Sequence, residues 1–359
     1  MMQHIESDTS LLVSGSDDCT VRVWNTINGK LKHTLSGHNR AVNSVKISSD
    51  NTMIASGGDD CDLIIWDANS GKIIHRLKDH TQCINSICFT HNDKIIASGS
   101  DDMSIKIWNP IKGELINTLT EHAKYVHQVL FSPDDEHLLS LSNRRTIKIW
   151  DYLGGKIIRQ FDINSKIYDI CFSPSGKYLA IIDSKNIKIW DTKSLTLRIL
   201  NETQEEYISR SLIYEFSDYG SISLSFASDT VLLSRAPDNE ICVFDNNDVK
   251  DPWNKKSNIH DNTDEPARGN GQVMTINYSL TQDIIATSSD DNMIKLWEYN
   301  EDQYKGDDNG RYKLKKILCG HTYHVNSLML SQYKDELLGR LREYHFEKNM
   351  GIDSKKLLQ

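Results

Sequence analysis

An aromatic residue returns along this chain at a nearly constant interval, each time closing a short apolar strand pattern. The residues are Trp24, Trp66, Trp108, Trp150, Trp190, Phe244 and Trp297, spaced 42, 42, 42, 40, 54 and 53 apart. A period of about 40 to 45 residues predicts a β-propeller, in which each repeat makes one four-stranded blade. The expected fold is therefore all-β, a ring of seven antiparallel blades over residues 1–331. A C-terminal tail follows at 332–359. A length of 359 residues suits one such ring, because each blade adds its own slice.

The cleanest repeat runs over 37–67. Gly37-His38 opens it, and Val42, Val45 and Ile47 follow. The turn Ser48-Ser49-Asp50-Asn51 leads to a second strand at 53–56. Gly57-Gly58-Asp59-Asp60 makes a tight turn before Leu63-Ile64-Ile65-Trp66. An outer strand is expected over 72–77. Short strands punctuated by Gly, Asp, Asn and Ser are an all-β pattern. Ile-Lys-Ile-Trp recurs at 105–108, 147–150 and 187–190. Its lysine between apolar neighbours suits a strand packed on one face and wet at its edge.

These residues resemble the WD-repeat family. The match lies in Gly37-His38 with Trp66-Asp67, and in Ser-Asp-Asp turns placed ahead of the aromatic. Ser16-Asp17-Asp18 precedes Trp24, Ser100-Asp101-Asp102 precedes Trp108, and Ser289-Asp290-Asp291 precedes Trp297. The resemblance covers residues 1 to 330 and implies a structural tetrad in each blade. A His from Gly-His, a Ser or Thr ten residues before the Trp, an Asp six before it, and the Trp itself make that set. Blade two has His38, Ser56, Asp60 and Trp66. Blade three has His80, Ser98, Asp102 and Trp108. Blade one has Ser14, Asp18 and Trp24, and its only candidate histidine is His321.

The resemblance also implies that one repeat supplies the outer strand of one blade and three strands of the next. Residues 3–6 are at best a stub of the missing inner strand of blade one. Val325-Asn326-Ser327-Leu328 copies Val42-Asn43-Ser44-Val45. Residues 324–331 are thus expected to pair with the N-terminal strand and close the ring, removing two open sheet edges. The tetrad pattern decays elsewhere. Arg144 replaces the Asp in blade four, which keeps His122, Ser140 and Trp150. Ala180 and Ser184 stand at the Ser and Asp positions of blade five. Blade six has Ser234 and Asp238 with Phe244, and blade seven has Thr287 and Asp291 with Trp297.

A Ser-His-Asp trio invites a hydrolase reading, but one active site needs the trio once and here it recurs in three blades. The Ser sits mid-strand, without a nucleophile elbow or oxyanion-hole sequence. The Asp pairs are explained by turn chemistry, and Gly57-Gly58 lacks the Lys-Ser or Lys-Thr of a phosphate loop. We therefore expect no enzyme activity, no cofactor and no metal. Seven cysteines without CxxC spacing read as reduced thiols of a cytoplasmic or nuclear protein. A net charge of −9 argues against direct nucleic-acid binding. The polar start of the chain shows no signal peptide, and no apolar run reaches membrane length, so no membrane is expected.

Function is then expected at a surface, as a non-enzymatic scaffold or adaptor binding proteins or peptides. A monomeric propeller within a hetero-complex is the expected form. Alternatives in the same class are a ubiquitin-ligase substrate receptor and a chromatin-complex subunit binding basic tails. The resemblance places partners on the face bearing the Asp turns, here named the top face. The residue before the tetrad Asp lies there: Asp17, Asp59, Asp101, Asn143, Pro237 and Asp290. Residues five after the His position rim the channel: Asn326, Asn43, Asn85, His127, Tyr168 and Met274. A basic or polar peptide is expected on blades one to three and seven, with Tyr125 and Tyr168 as anchors. Blade four adds His127, Arg144 and Arg145.

Two repeats exceed the period. Residues 201–220 read as a loop joining the top face, if 195–200 is an outer strand. Residues 246–272, with Trp253, read as a mobile loop or a docking segment. The stretch 299–310 is acidic and reads as solvated. Leu337, Leu338, Leu341, Tyr344 and Phe346 have loosely helical spacing, so 335–350 reads as a short helix or a frayed tail.

Overall fold

The structure is a computed structural model, and it describes residues 10–184, 186–193, 212–217, 223–235, 241–246, 254–259, 273–279, 282–299 and 312–332. These form seven four-stranded antiparallel sheets. In blade two the strands run outward as β4 (Val42–Ile47), β5 (Met53–Gly58), β6 (Leu63–Asp67) and β7 (Ile73–Leu77). The inner strands of blades three to seven are β8 (Ile84–Phe89), β12 (Val126–Phe131), β16 (Ile167–Phe172), β20 (Leu224–Phe226) and β24 (Val273–Ser279). The expected architecture holds in every blade.

Closure takes the expected form. Blade one orders as β28 (Val325–Leu330), β1 (Leu11–Ser16), β2 (Thr20–Asn25) and β3 (Leu31–Ser36). β28 pairs antiparallel with β1 from Leu12↔Leu330 to Ser16↔Val325. Beyond the ladder, Leu11 N–H donates to Ser331 Oγ at 3.0 Å. Ser331 N–H returns to the Leu11 carbonyl at 2.9 Å, and Asp17 N–H reaches the His324 carbonyl at 3.0 Å. Residues 3–6 lie outside the described residues.

The apolar core is divided among the joints between blades. Val13, Val21 and Val23 of blade one pack with Val42, Val45, Ile54 and Trp66 of blade two. Ala55, Leu63 and Ile65 of blade two then pack with Ile84, Ile87, Ile96 and Trp108 of blade three. The same sharing recurs around the ring, ending where Ile294, Leu296 and Leu318 meet Trp24, Val325 and Leu328. Each fully buried aliphatic side chain contributes about 1.5–3 kcal/mol relative to exposure. Gly57 permits one such close approach, because a Cβ there would lie 2.6 Å from Ile84 Cγ2 and 2.8 Å from Ile87 Cδ1.

A polar belt runs parallel to this core. At every joint a side-chain oxygen on one inner strand accepts a backbone N–H from the next. Ser327 accepts from Val45 at 3.2 Å, Ser44 from Ile87 at 3.1 Å and Ser86 from Val129 at 3.1 Å. Gln128 accepts from Ile170 at 3.3 Å, Asp169 from Leu224 at 2.8 Å and Ser223 from Ile276 at 3.3 Å. Asn277 completes the circle by accepting from Leu330 at 2.9 Å. Inner strands have no fifth strand to pair with, so these oxygens satisfy donors that the ladder leaves over.

Two expectations about the long repeats need correction. The outer strand of blade five is β19 (Leu212–Ser217), which pairs with β18 (Asn186–Asp191). It is not 195–200, so the extra chain links the third strand to the fourth instead of entering the top face. The alternating Leu195-Thr196-Leu197 pattern satisfied the strand period, and a later segment won the edge. In blade six, β23 (Asn254–Ile259) pairs with β22 (Ile241–Asp245) inside the stretch read as a mobile loop. Edge pairing needs only main-chain groups, which is why an Asn- and Lys-rich segment can serve. Trp253, Pro237, residues 300–311 and the tail beyond Gln332 lie outside the described residues.

Ending the chain after Tyr323 should leave β1 with a bare edge. The expected outcome is self-association on size-exclusion chromatography and loss of a single sharp melting transition. Ending it after Gln332 should preserve both.

Candidate functional site

Each complete tetrad is a linear hydrogen-bond chain from the buried Trp to the top-face turn. In blade two, Trp66 Nε1 donates to Ser56 Oγ at 2.8 Å, and Ser56 Oγ meets His38 Nε2 at 2.8 Å. His38 Nδ1 then meets Asp60 at 2.9 Å. Blade three repeats this with Trp108, Ser98, His80 and Asp102 at 2.9, 2.8 and 2.7 Å. Blade one builds it across the closure. Trp24 donates to Ser14 at 2.9 Å, Ser14 meets His321 at 2.8 Å, and His321 meets Asp18 at 2.8 Å. The residue after each histidine adds its N–H to the same carboxylate, as Asn39 does to Asp60 at 3.1 Å. Ser14, Ser56, Ser98 and Ser140 are 0% exposed, so no substrate reaches them.

The incomplete blades show what each member does. His122 still meets Ser140 at 2.6 Å, and Trp150 donates to Ser140 at 2.7 Å. Lacking a carboxylate, His122 is pushed down to about 3 by burial, with the Lys148 charge adding. In blade five Ala180 replaces the serine, and buried Trp190 Nε1 has no hydrogen-bond partner among the described residues. Its ring instead packs on Phe161 at 5.2 Å. In blade seven Trp297 donates to Thr287 at 3.1 Å, while Asp291 Oδ2 is buried without a partner among the described residues. That is the oxygen a histidine would engage.

Burial opposes the ionised form of Asp60, but the His38 hydrogen bond and charge, then the amides of Asn39 and Asp62, hold its carboxyl below the ordinary value. Asp102 and Asp18 are likewise held down against burial, chiefly by His80 and Ser104, and by Thr20 and His321.

The rim residues read from the sequence share one local structure. Asn326, Asn43, Asn85, His127, Tyr168 and Met274 each sit at the register shift of an inner strand, between residues that pair normally. A bulged residue leaves the ladder and turns its side chain out of the pleat. In blades one to three that side chain bridges two blades. Asn43 Nδ2 donates to Asp59 at 2.7 Å and to the Ile84 carbonyl at 3.1 Å. Asn85 does the same for Asp101 and Val126 at 2.7 and 2.9 Å, and Asn326 for Asp17 and Val42 at 2.6 and 3.2 Å. Asp17, Asp59 and Asp101 therefore lie on one face, each steadied by an amide. Asp290 is half-buried at the matching turn.

Blade four differs in backbone as well as in charge. In blades one to three the turn keeps ordinary φ at both aspartates and places Cys19, Cys61 or Met103 at φ 65, 67 or 67°. In blade four Asn143 and Arg144 take φ 50 and 54°, and Arg145 N–H closes onto the Ser142 carbonyl at 3.0 Å. This is a type I′ geometry, natural for Asn but costly for Arg by about 1–3 kcal/mol. The Arg144 carbonyl is caught by Ile167 N–H of the next blade at 2.8 Å, and Asn143 N–H by the Tyr125 carbonyl at 3.0 Å. The Arg144 guanidinium carbon lies 6.0 Å from the Tyr168 ring centre, and Lys166 Nζ lies 5.4 Å from it. Of the candidates, then, Arg144 and Tyr168 come together, and burial with Arg144 and Lys166 nearby pushes His127 down to about 4. Lys166 escaped the sequence reading, since it belongs to no repeated position.

The opposite end holds a cavity of about 450 Å³ between blades four and five, floored by Leu139, Ile149 and Phe172. At its rim the ligand-type atoms of Asp134, Glu136 and His137 lie within 4.8 Å of one another. All seven cysteines are free thiols.

Comparison with known proteins decides the family. The sequence matches the WD domain, G-beta repeat over residues 4–25, 29–67, 71–109, 113–151, 155–191 and 266–298, together more than half of the chain. The chain belongs to the WD-repeat family. Such propellers bind other proteins and are generally non-enzymatic scaffolds. Blade six, with its Phe244, falls outside the matched segments. A stretch of 36 residues is 53% identical to the nuclear distribution protein nudF of Aspergillus flavus and to that of Aspergillus oryzae. It covers 10% of this chain and 8% of each relative, so the likeness extends over about one repeat length.

Two outcomes test the tetrads. Trp66→Phe and Trp190→Phe remove the same indole volume, but only Trp66 donates a hydrogen bond. Urea denaturation should show Trp66→Phe costing more by about 1–3 kcal/mol. Acid should weaken the ring in two stages. The folded value of His122 lies far below its ordinary 6.5, so its contribution is full above that value and falls away as pH drops through the folded one. Asp18, Asp60 and Asp102, also held low, lose theirs below the ordinary 3.8. His122→Gln should flatten the upper stage in a series of melting temperatures.

Proposed function

We propose that the chain is a non-enzymatic scaffold subunit that gathers proteins or peptides on its top face. The proposed setting is a hetero-complex in the cytoplasm or nucleus, in keeping with the reduced-thiol reading of its cysteines. The observation that carries the proposal is the consumption of every Ser-His-Asp trio inside a blade, where the serines are sealed from solvent. Groups that resemble catalytic machinery hold tryptophans instead, leaving surfaces as the working parts.

Asp17, Asp59 and Asp101 support a basic or polar ligand on the sector of blades one to three. Each carboxylate is steadied by its asparagine, so little side-chain entropy is lost when a cation arrives. A receptor for basic protein tails is the form this sector favours. The nudF likeness spans too little of either protein to carry a role across.

The test is affinity capture from native extract with protein identification, comparing the wild type with Asp59→Lys/Asp101→Lys after both pass circular dichroism and melting controls. The expected outcome is a defined set of partners, at least one lost by the variant. An unchanged set would move the binding surface elsewhere, and an absence of partners would remove the scaffold reading.

A further inference from the structure

The top face is bipolar, with the carboxylates of Asp17, Asp59 and Asp101 on one sector and a group of cations on another. Lys124, Arg144, Arg145 and Lys166 cluster at the corner where blades four and five meet. The Lys124 carbonyl accepts Ser142 Oγ at 3.0 Å, at the base of the Arg144 turn. Arg144 and Lys166 both approach the ring of Tyr168. None of these four cations forms an ion pair among the described residues. Three carboxylates nearby in sequence are engaged otherwise. Asp162 accepts Thr146 Oγ1 at 2.5 Å, and Asp183 holds Lys188 at 2.8 Å. Asp169 takes the Ile170 and Leu224 amides, both at 2.8 Å. Across the face the sign reverses, where Asp17, Asp59 and Asp101 are held in place by neutral asparagine amides and keep their negative charge.

We propose that this corner binds an acidic, carboxylate-rich peptide segment of a partner protein. Arg144 and Lys166 take carboxylates of the segment, and Tyr168 is the platform they share. Tyr125, 36% exposed, borders the same turn through its carbonyl. The left-handed backbone at Arg144 is pinned by Ile167 of the next blade. The guanidinium is thereby presented from a fixed turn, which lowers the ordering cost of binding. The like charge of the acidic sector would repel such a segment and set its direction across the face. The proposal does not rest on the acidic-sector reading, since it uses other residues and the opposite ligand charge.

The experiment is fluorescence anisotropy with the full chain and a short labelled Glu-rich peptide, against the same peptide with Gln for Glu. The variant is Arg144→Asn/Lys166→Ala, because Asn accepts the left-handed turn. Wild type should prefer the Glu peptide, and the variant should bind it about tenfold more weakly. Asp59→Lys/Asp101→Lys should bind it at least as well as wild type. Equal binding of the Glu and Gln peptides by wild type overturns the proposal. So does unchanged binding by a variant with a native melting temperature. If the double variant fails to fold, exposed Lys166→Ala alone carries the test, with a weaker but measurable loss expected and no loss overturning it.

Discussion

At each of seven joints a side-chain oxygen accepts an amide from the neighbouring inner strand, and these bonds make seven sheets into one ring. Apolar burial between blades is larger in energy but less directional than a hydrogen bond. The belt is exacting, because a hydrogen bond fails within a fraction of an ångström. It also solves a problem peculiar to this geometry. Inner strands converge on a channel, and their unpaired N–H groups would otherwise face it unsatisfied. Ser serves the joints from blade one to blade four and the joint between blades six and seven. The longer side chains Gln128, Asp169 and Asn277 serve the other three.

Outward from the belt, the tetrads fix each blade's third strand to its top-face turn. Their decay is graded. Blade four loses the carboxylate, blade five both the serine and the carboxylate, and blade six the tryptophan. Where a member is missing, the remaining groups adopt one of two states seen here. Among the described residues Trp190 keeps an orphan donor and compensates with ring packing on Phe161. The Arg144 turn flips to a different backbone class and points its charge at the neighbouring blade. Loss of one aspartate therefore changes the shape of the surface as well as its stability.

Much of this was legible in the sequence. The His321–Asp18 bond followed from counting positions, because the tetrad has fixed offsets and blade one lacked only a histidine. The seven aromatics gave the blades for the same reason. The outer strand of blade five was not legible, since an edge strand needs only main-chain partners and 195–200 fits the strand period as well as Leu212–Ser217 does. The bulges were also hidden. Asn43 and Asn85 could be placed on the rim by offset, but their double hydrogen bonds depend on the next blade's carbonyls. Lys166 had no repeat position to mark it, and only the Tyr168 ring it shares with Arg144 shows its relevance.

The latch in blade one has a consequence for the order of events in synthesis. β28 leaves the ribosome more than 300 residues after β1, a wait on the order of tens of seconds at ordinary elongation rates. Through that interval β1 presents a naked hydrogen-bonding edge and an unburied Trp24. Blades two to five can assemble meanwhile on one another. The first blade made is thus the last to be finished, and a nascent chain of this kind needs protection longest at the end it began with.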